Sequence, residues 1–303
     1  MAFSIGVDIG GTKIALGIVD RKGMIIKKMR FKTPENGRDE LLFQLIRNIE
    51  VLIESTFLRK NIDGIGIGTA GQIDHRKGIV VSGISTIKNW MNVPIKEIFE
   101  SHLGLSTLVE NDANVVALSE RMTEGGRKEQ SLVCLTLGTG VGGAVIDHGQ
   151  LLHGKWGGAA ELGHMSIDRN GIACTCGSRG CLELYASGTG LVRMMKERSG
   201  EVLTSEEVFK RFLHGDKIAK QAIEEMLDAI SIGIVNLIHI FNPEAVILGG
   251  GLTEQGDWLI SAISEKVRKT GMPSLVQNTK IRKVFYGSDA GIIGAASLVW
   301  LND

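Results

Sequence analysis

Phe3-Ser-Ile-Gly-Val-Asp8-Ile-Gly10-Gly11-Thr12-Lys13-Ile14-Ala-Leu-Gly-Ile-Val-Asp20 is an apolar run, a glycine pair followed by a threonine and a lysine, and a second apolar run. β-Branched residues on both sides of the glycines predict a hairpin: strands Phe3 to Asp8 and Ile14 to Asp20 around a turn from Gly10 to Lys13. The same grammar returns at Thr136-Leu137-Gly138-Thr139-Gly140-Val141-Gly142-Gly143, with a strand before it from Ser131 and a strand Ala144 to Asp147 after it. Self-similarity in two halves predicts duplicated α/β lobes that face one another. Two unrelated tight turns are the plainer alternative.

Glycines after a strand allow backbone N–H groups to approach phosphate oxygens, and a neighbouring threonine hydroxyl can donate as well. Gly10, Gly11, Thr12 and Lys13 form one such cradle, and Gly138, Thr139, Gly140 and Gly142 the other. Gly138, Gly140 and Gly143 also match G-x-G-x-x-G, but a strand follows them where the dinucleotide fingerprint needs a helix, and no P-loop pattern occurs. Asp8, at the end of the first strand, is placed either to hold Mg2+ beside the phosphates or to cap the turn.

Further strands are predicted at Met24 to Phe31, Ile62 to Gly68, Ser106 to Glu110, Ala245 to Leu248 and Ile281 to Tyr286. Helices are predicted at Asp39 to Phe57, Ala113 to Met122, Ile218 to Phe241, Glu254 to Arg268 and Ala290 to Trp300. The run Glu124-Gly125-Gly126-Arg127-Lys128 reads as a crossing between lobes. The expected division is therefore 1–122, with 290–303 packing back onto it, and 123–289. Glu110-Asn111-Asp112 stands between a strand and a helix. Asp112 is either the helix N-cap or the group that takes the proton of a sugar hydroxyl as it attacks a γ-phosphoryl group, with Asn111 fixing the sugar.

His164, Cys174, Cys176 and Cys181 supply four soft and borderline ligands in the spacing His-x9-Cys-x-Cys-x4-Cys. This Cys₃His set suits a closed, tetrahedral, structural Zn2+ site and leaves no position for a reactive water. Gly177 and Gly180 permit the tight knuckle. Glu161 and Glu183 flank the ligands, so zinc would tie both carboxylates to one patch, where they could accept bonds from polyol hydroxyls; two solvated surface acids are the alternative. Cys134 reads as a core thiol.

Composition narrows the partner. The chain has 303 residues, 43% hydrophobic and 22% charged, with Lys+Arg and Asp+Glu both 34. That balance describes a globular protein with an ample core and no broad footprint for nucleic acid or an anionic membrane. No export signal or membrane span is legible, so a cytoplasmic protein is expected. Four cysteines, three of them clustered, fit a metal better than a disulfide framework.

Taken together, Asp8-x-Gly-Gly-Thr-Lys13, Glu110-Asn-Asp112, the Leu137 to Gly143 loop, Glu161-Leu-Gly-His164 and Cys174-Thr-Cys-Gly-Ser-Arg-Gly-Cys-Leu-Glu183 resemble the ROK family over essentially the whole chain. The resemblance implies a two-lobed, actin-like ATPase (ribonuclease-H-like) fold with ATP between the lobes and a sugar at the cleft floor. It implies Asp112 as catalytic base, with Gly71, Asn111, Glu161, His164 and Glu183 at the sugar and His164 also on zinc. It places Gly249, Gly250 and Gly251, and the Asp289-Ala-Gly291 turn, around the adenosine, and it implies a homodimer. Within the family, Ala159 to His164 and Glu183 to Gly188 are most similar to N-acetylmannosamine kinases. Thr69-Ala70 and Thr86 to Trp90 depart from the glucokinase pattern, and Gln72 departs from the N-acetylmannosamine kinase one. The family also includes sugar-sensing repressors, whose helix-turn-helix would precede the first phosphate loop; Asp8 already lies in that loop.

Overall fold

The structure, a computed structural model, describes residues 2–301 except Ser85, Glu124, Gly125 and Arg127. Most of the expected crossing at 124–128 therefore lies outside the described residues. Two compact units are present: Met1–Lys128 with Gln150–Ala159 and Ser288–Asp303, and Glu129–Gly149 with Ala160–Gly287. Residues 150–159 group with the first unit. His153 bonds to Glu110 there, and the backbone of Gly157 lies against that of Ile73.

In the first unit, β1 (Phe3–Ile9), β2 (Lys13–Asp20), β3 (Ile25–Lys32), β4 (Ile62–Thr69) and β7 (Thr107–Asn111) form a sheet in the order β3-β2-β1-β4-β7. A small hairpin of β5 (Gln72–Asp74) and β6 (Ile79–Ser82), not foreseen from the sequence, follows β4. The β1-β2 hairpin runs in one register from Phe3↔Asp20 to Ile9↔Ile14, whereas β1, β4 and β7 are parallel. Parallel pairing aligns Asp8 with Gly68, and Gly68 with Glu110, so the ends of β1, β4 and β7 lie side by side at one rim of the sheet. Ligands collect at such carboxyl ends in open α/β sheets.

The helix Arg38–Glu54 buries Leu41, Leu45, Ile49 and Leu52, a stripe at helical spacing, in a core with Ile5, Val7, Ile65 and Ile67. The C-terminal helix Ala290–Ser297 comes closer to the sheet than side chains would allow. A Cβ on Gly66 would stand 1.7 Å from the carbonyl oxygen of Ala295, and one on Gly6 would stand 1.9 Å from that of Ile292. Part of the glycine excess therefore serves close packing inside strands as well as loops.

In the second unit, β8 (Leu132–Leu137) and β9 (Val141–Asp147) form the second hairpin, and β10 (Ala245–Gly249) and β11 (Lys280–Lys283) continue the sheet in parallel beside β8. β9 starts at Val141, earlier than the expected Ala144, so Gly142 and Gly143 pair with Thr136 and Leu135 inside the strand. Space dictates this: a Cβ on Gly143 would stand 2.5 Å from the Leu162 side chain. The long helix Lys217–Phe241 is capped by the Asp216 carboxylate and ends where Asn242 turns left-handed before Pro243. The expected helix from Glu254 starts at Asp257, because Gly256 at φ 110° separates it from a short 3₁₀ turn. Among the described residues no helix is long and apolar enough to cross a membrane.

Candidate active site

In the first unit the turn after β1 is tied down at its base. Gly10 N–H donates to the Lys13 carbonyl (3.0 Å), the Thr33 hydroxyl donates to the Gly10 carbonyl (2.7 Å), and Thr33 N–H donates to that of Thr12 (3.1 Å). Thr12 and Lys13 remain exposed. Asp8 stands at the strand end beside them. Burial first, and the negative charge of Asp112 second, push its carboxyl up to about 7, against the opposing pull of Lys13 and Arg30. A Cβ on Gly291 would lie 2.3 Å from Asp8 Oδ2, so glycine at 291 makes the room that Asp8 occupies. A carboxylate at the rim of a sheet is a donor that suits a divalent cation such as Mg2+. Asp289, expected near the adenosine, is held by Lys28 and Arg30, each at 2.7 Å.

The sequence left the cap of the following helix open between Asp112 and a proton-accepting role. Here Asn111 takes the cap: its Oδ1 accepts from Ala113 N–H (2.8 Å) and Asn114 N–H (3.2 Å), and its Nδ2 donates to the Gly71 carbonyl (3.0 Å). Gly71 and Asn111, both expected at the sugar, are thus joined directly. Gly71 has φ 113°, and a Cβ there would be 2.5 Å from the Ser82 carbonyl, so only glycine serves. Asp112 becomes the first residue of the helix Asp112–Glu120, half-buried, with its Oδ1 accepting from Ala113 N–H at 2.9 Å.

Beneath this turn lies a network that the sequence reading missed. Glu110 is 2% exposed. Its Oε1 accepts from Asn111 N–H (2.8 Å) and Asn114 Nδ2 (2.9 Å), and its Oε2 meets His153 Nε2 at 2.7 Å. Burial would raise the Glu110 carboxyl, but the bonds from His153 and Asn114 outweigh it and hold the group below the usual range. The His75 ring stacks on that of His153, with centroids 3.7 Å apart and planes within 13°. Glu110 sits inside the quoted Glu-Asn-Asp motif, which was a clue. Nothing in the sequence links it to His153 or His75.

In the second unit, the turn Gly138–Gly140 closes with Gly138 N–H to the Gly140 carbonyl at 3.0 Å, and Thr139 is exposed at its tip. Glu183 Oε2 accepts from Val141 N–H at 2.9 Å, directly beside that turn. Gly188 N–H donates to the Gly138 carbonyl (2.7 Å), and the Thr189 hydroxyl to that of Thr139 (2.7 Å). Gly249 ends β10, and a Cβ on Gly250 would stand 2.4 Å from the Leu137 carbonyl, so the Gly249–Gly251 run abuts the same turn. Gly142 lies one step inside β9.

The ligand atoms of His164, Cys174, Cys176 and Cys181 all fall within 4.8 Å of one another. Two of the separations, 3.5 Å between Cys176 Sγ and Cys181 Sγ and 3.7 Å between Cys174 Sγ and His164 Nδ1, are close to the edges of a tetrahedron around zinc. Burial, followed by the adjoining sulfurs, pushes the Cys181 thiol up to about 12. The set is compatible with a structural zinc site. Gly177 (φ 91°) and Gly180 (φ 62°) form the knuckle, which is pinned by Ile167 N–H to the Gly180 carbonyl and Leu182 N–H to that of Met165. Glu161, exposed, precedes the 3₁₀ turn that carries His164, and its carbonyl accepts from His164 N–H at 3.0 Å.

Comparison with known proteins follows the same lines. The ROK family profile matches residues 4–301. A glucokinase of Thermotoga maritima is 38% identical over 97% of this chain and 96% of its own length. The ROK glucokinase of Streptomyces griseus, solved with glucose and AMPPNP, superposes with a TM-score of 0.85 at 32% identity, covering 98% of this chain and 99% of that one. A Listeria monocytogenes protein provisionally assigned as an N-acetylmannosamine kinase superposes at 0.84 with 27% identity, covering 99% of each chain.

Proposed function

The chain belongs to the ROK family and is an ATP-dependent sugar kinase, and from that premise we propose that it phosphorylates the 6-hydroxyl of a hexose, with glucose as the preferred acceptor. Asp112 takes the hydroxyl proton as the sugar oxygen attacks the γ-phosphorus; the new P–O bond forms while the bond to the β-phosphate oxygen breaks, and ADP leaves. In the first unit, Asn111 and Gly71 contact sugar hydroxyls and the turn at Gly10–Lys13 binds phosphate. In the second, Glu161, His164 and Glu183 contact sugar hydroxyls, and the Gly138–Gly140 turn with the Gly249–Gly251 run binds nucleotide. Mg2+ at Asp8 would supply charge neutralisation to the phosphate oxygens. Zinc on the Cys₃His set would keep the knuckle that presents Glu183 rigid.

The observation that carries this reading is the Asn111 cap. It sets Asp112 as the first residue of the helix, where its negative charge acts on Asp8 at the end of β1. The acceptor rests on the glucokinase relatives. N-Acetylmannosamine is the second reading, supported by the Ala159 to His164 and Glu183 to Gly188 stretches and by the Listeria neighbour. An ADP-release assay over glucose, N-acetylmannosamine, N-acetylglucosamine, fructose, mannose and allose separates them. The highest kcat/KM is expected for glucose; a higher value for N-acetylmannosamine would transfer the assignment, and no sugar-dependent release would end it.

A further inference from the structure

We propose that His153, backed by the stacked ring of His75, is a positioning residue for the proposed base: it compensates the buried charge of Glu110 and so fixes the Asn111–Asp112 turn. The inference rests on the reading of Asp112 as base and extends it to three residues that touch neither sugar nor nucleotide in that reading.

An ionised carboxylate in a protein interior costs several kcal/mol unless it is paired and its lone pairs are filled. Glu110 meets both conditions, with three donors on its two oxygens. Two of those donors, Asn111 N–H and the Asn114 amide, belong to the turn that aims Asp112. The third, His153, comes from a segment more than forty positions along the chain. An ionised Glu110 can only accept, so His153 Nε2 must carry the hydrogen in that bond. Protonated, Glu110 would instead present a hydroxyl to one partner and release another. The geometry of the turn is therefore linked to the charge state of Glu110, and that charge state to His153.

His75 completes the device. Its Nδ1 is buried and has no hydrogen-bond partner among the described residues; it faces Gly157, where a Cβ would stand 3.4 Å from it. Burial first, and the neighbouring His153 second, hold His75 below its ordinary range. Besides His153 and Glu110, the charged groups that His75 feels are Arg76 and Asp74 on its own turn. The backbone of His153 is itself fastened, its carbonyl accepting from Gly157 N–H at 3.0 Å and Ala159 N–H at 3.3 Å.

The test compares wild type, His153→Ala, His153→Gln and Glu110→Gln in the ADP-release assay, from about pH 5.5 to about pH 9, with sugar and nucleotide varied separately. Expected for His153→Ala is a kcat lower by about 100-fold at neutral pH, the scale of a misplaced reacting group. Its acid limb should move to higher pH, because Glu110 without its partner takes up a proton sooner, and KM for ATP should be nearly unchanged. His153→Gln, which keeps an N–H donor but no charge, should recover part of kcat and leave the limb shifted; it also serves if His153→Ala fails to fold. Both variants at wild-type kcat with an unmoved acid limb would overturn the proposal. The Asn111 amide resonance gives a readout without turnover. It should move in His153→Gln and in Glu110→Gln; if it stays in place, the positioning role is lost whether or not the wild type proves to be a kinase, whereas inactivity of the wild type alone rejects only the kinase reading.

Discussion

The hairpin turn at Gly10–Lys13 and the one at Gly138–Gly140 join antiparallel strands of similar length, and each hairpin has a parallel strand beside its first member. Their surroundings differ. The first turn follows an acid, Asp8, and shares its sheet rim with Asn111 and Asp112, so the acids near it come from strand ends. The second turn follows Thr136, and the acid beside it, Glu183, arrives from the cysteine knuckle through a bond to Val141 N–H. Two hairpins of one pattern thus gain neighbouring acids in two ways: from the sheet itself, and from an excursion that carries the Cys₃His set.

The sharpest break in that comparison is Asp112→Asn. A general base is worth about 10²–10⁴ in rate, so kcat should fall by that order, while the KM values for sugar and ATP stay within a few-fold. Steady-state kinetics on the variant measure it, and near-normal turnover would remove Asp112 from the mechanism. Next in size is Cys176→Ser, which attacks only the second arrangement. Zinc content should drop below one per chain by elemental analysis, and sugar KM should rise about 10-fold as Glu183 loosens. An unchanged KM in a zinc-free protein would show that the Cys₃His set does not hold Glu183 in place.

Gly291→Ala attacks the first arrangement by packing. The new methyl falls 2.3 Å from Asp8 Oδ2, and a loss of about 1–3 kcal/mol in unfolding free energy is expected from denaturant titration. The gentlest probe is pH. The Asp8 carboxyl is raised from 3.8 to about 7 in the folded protein, so the native state keeps a proton that the unfolded chain has already released. Stability of the metal-free protein from this group therefore falls as pH rises from about 4 through about 7. Melting temperature should decline over that window, and Asp8→Asn should flatten the decline; parallel slopes would contradict the raised value.

The sequence made the hairpins legible because β-branched residues flank glycines, and it made the Cys₃His cluster legible because ligand spacing is local. It misplaced the start of β9, since Gly142 and Gly143 look like turn residues until Leu162 is seen to need their space. It also divided Asn111 and Asp112 wrongly in its capping alternative, because either side chain can cap and only the backbone decides. The Glu110–His153–His75 network was out of reach. Its members are spread from residue 75 to residue 153, and only the folding of 150–159 into the first unit brings them together.

What must be seen is a phosphoryl group passing from ATP to a sugar oxygen. Phosphorus NMR of wild-type protein with ATP, Mg2+ and glucose reads this directly. The glucose 6-phosphate resonance is expected to grow in step with ADP; ADP accompanied by inorganic phosphate alone, or phosphate on another hydroxyl, would contradict the assignment.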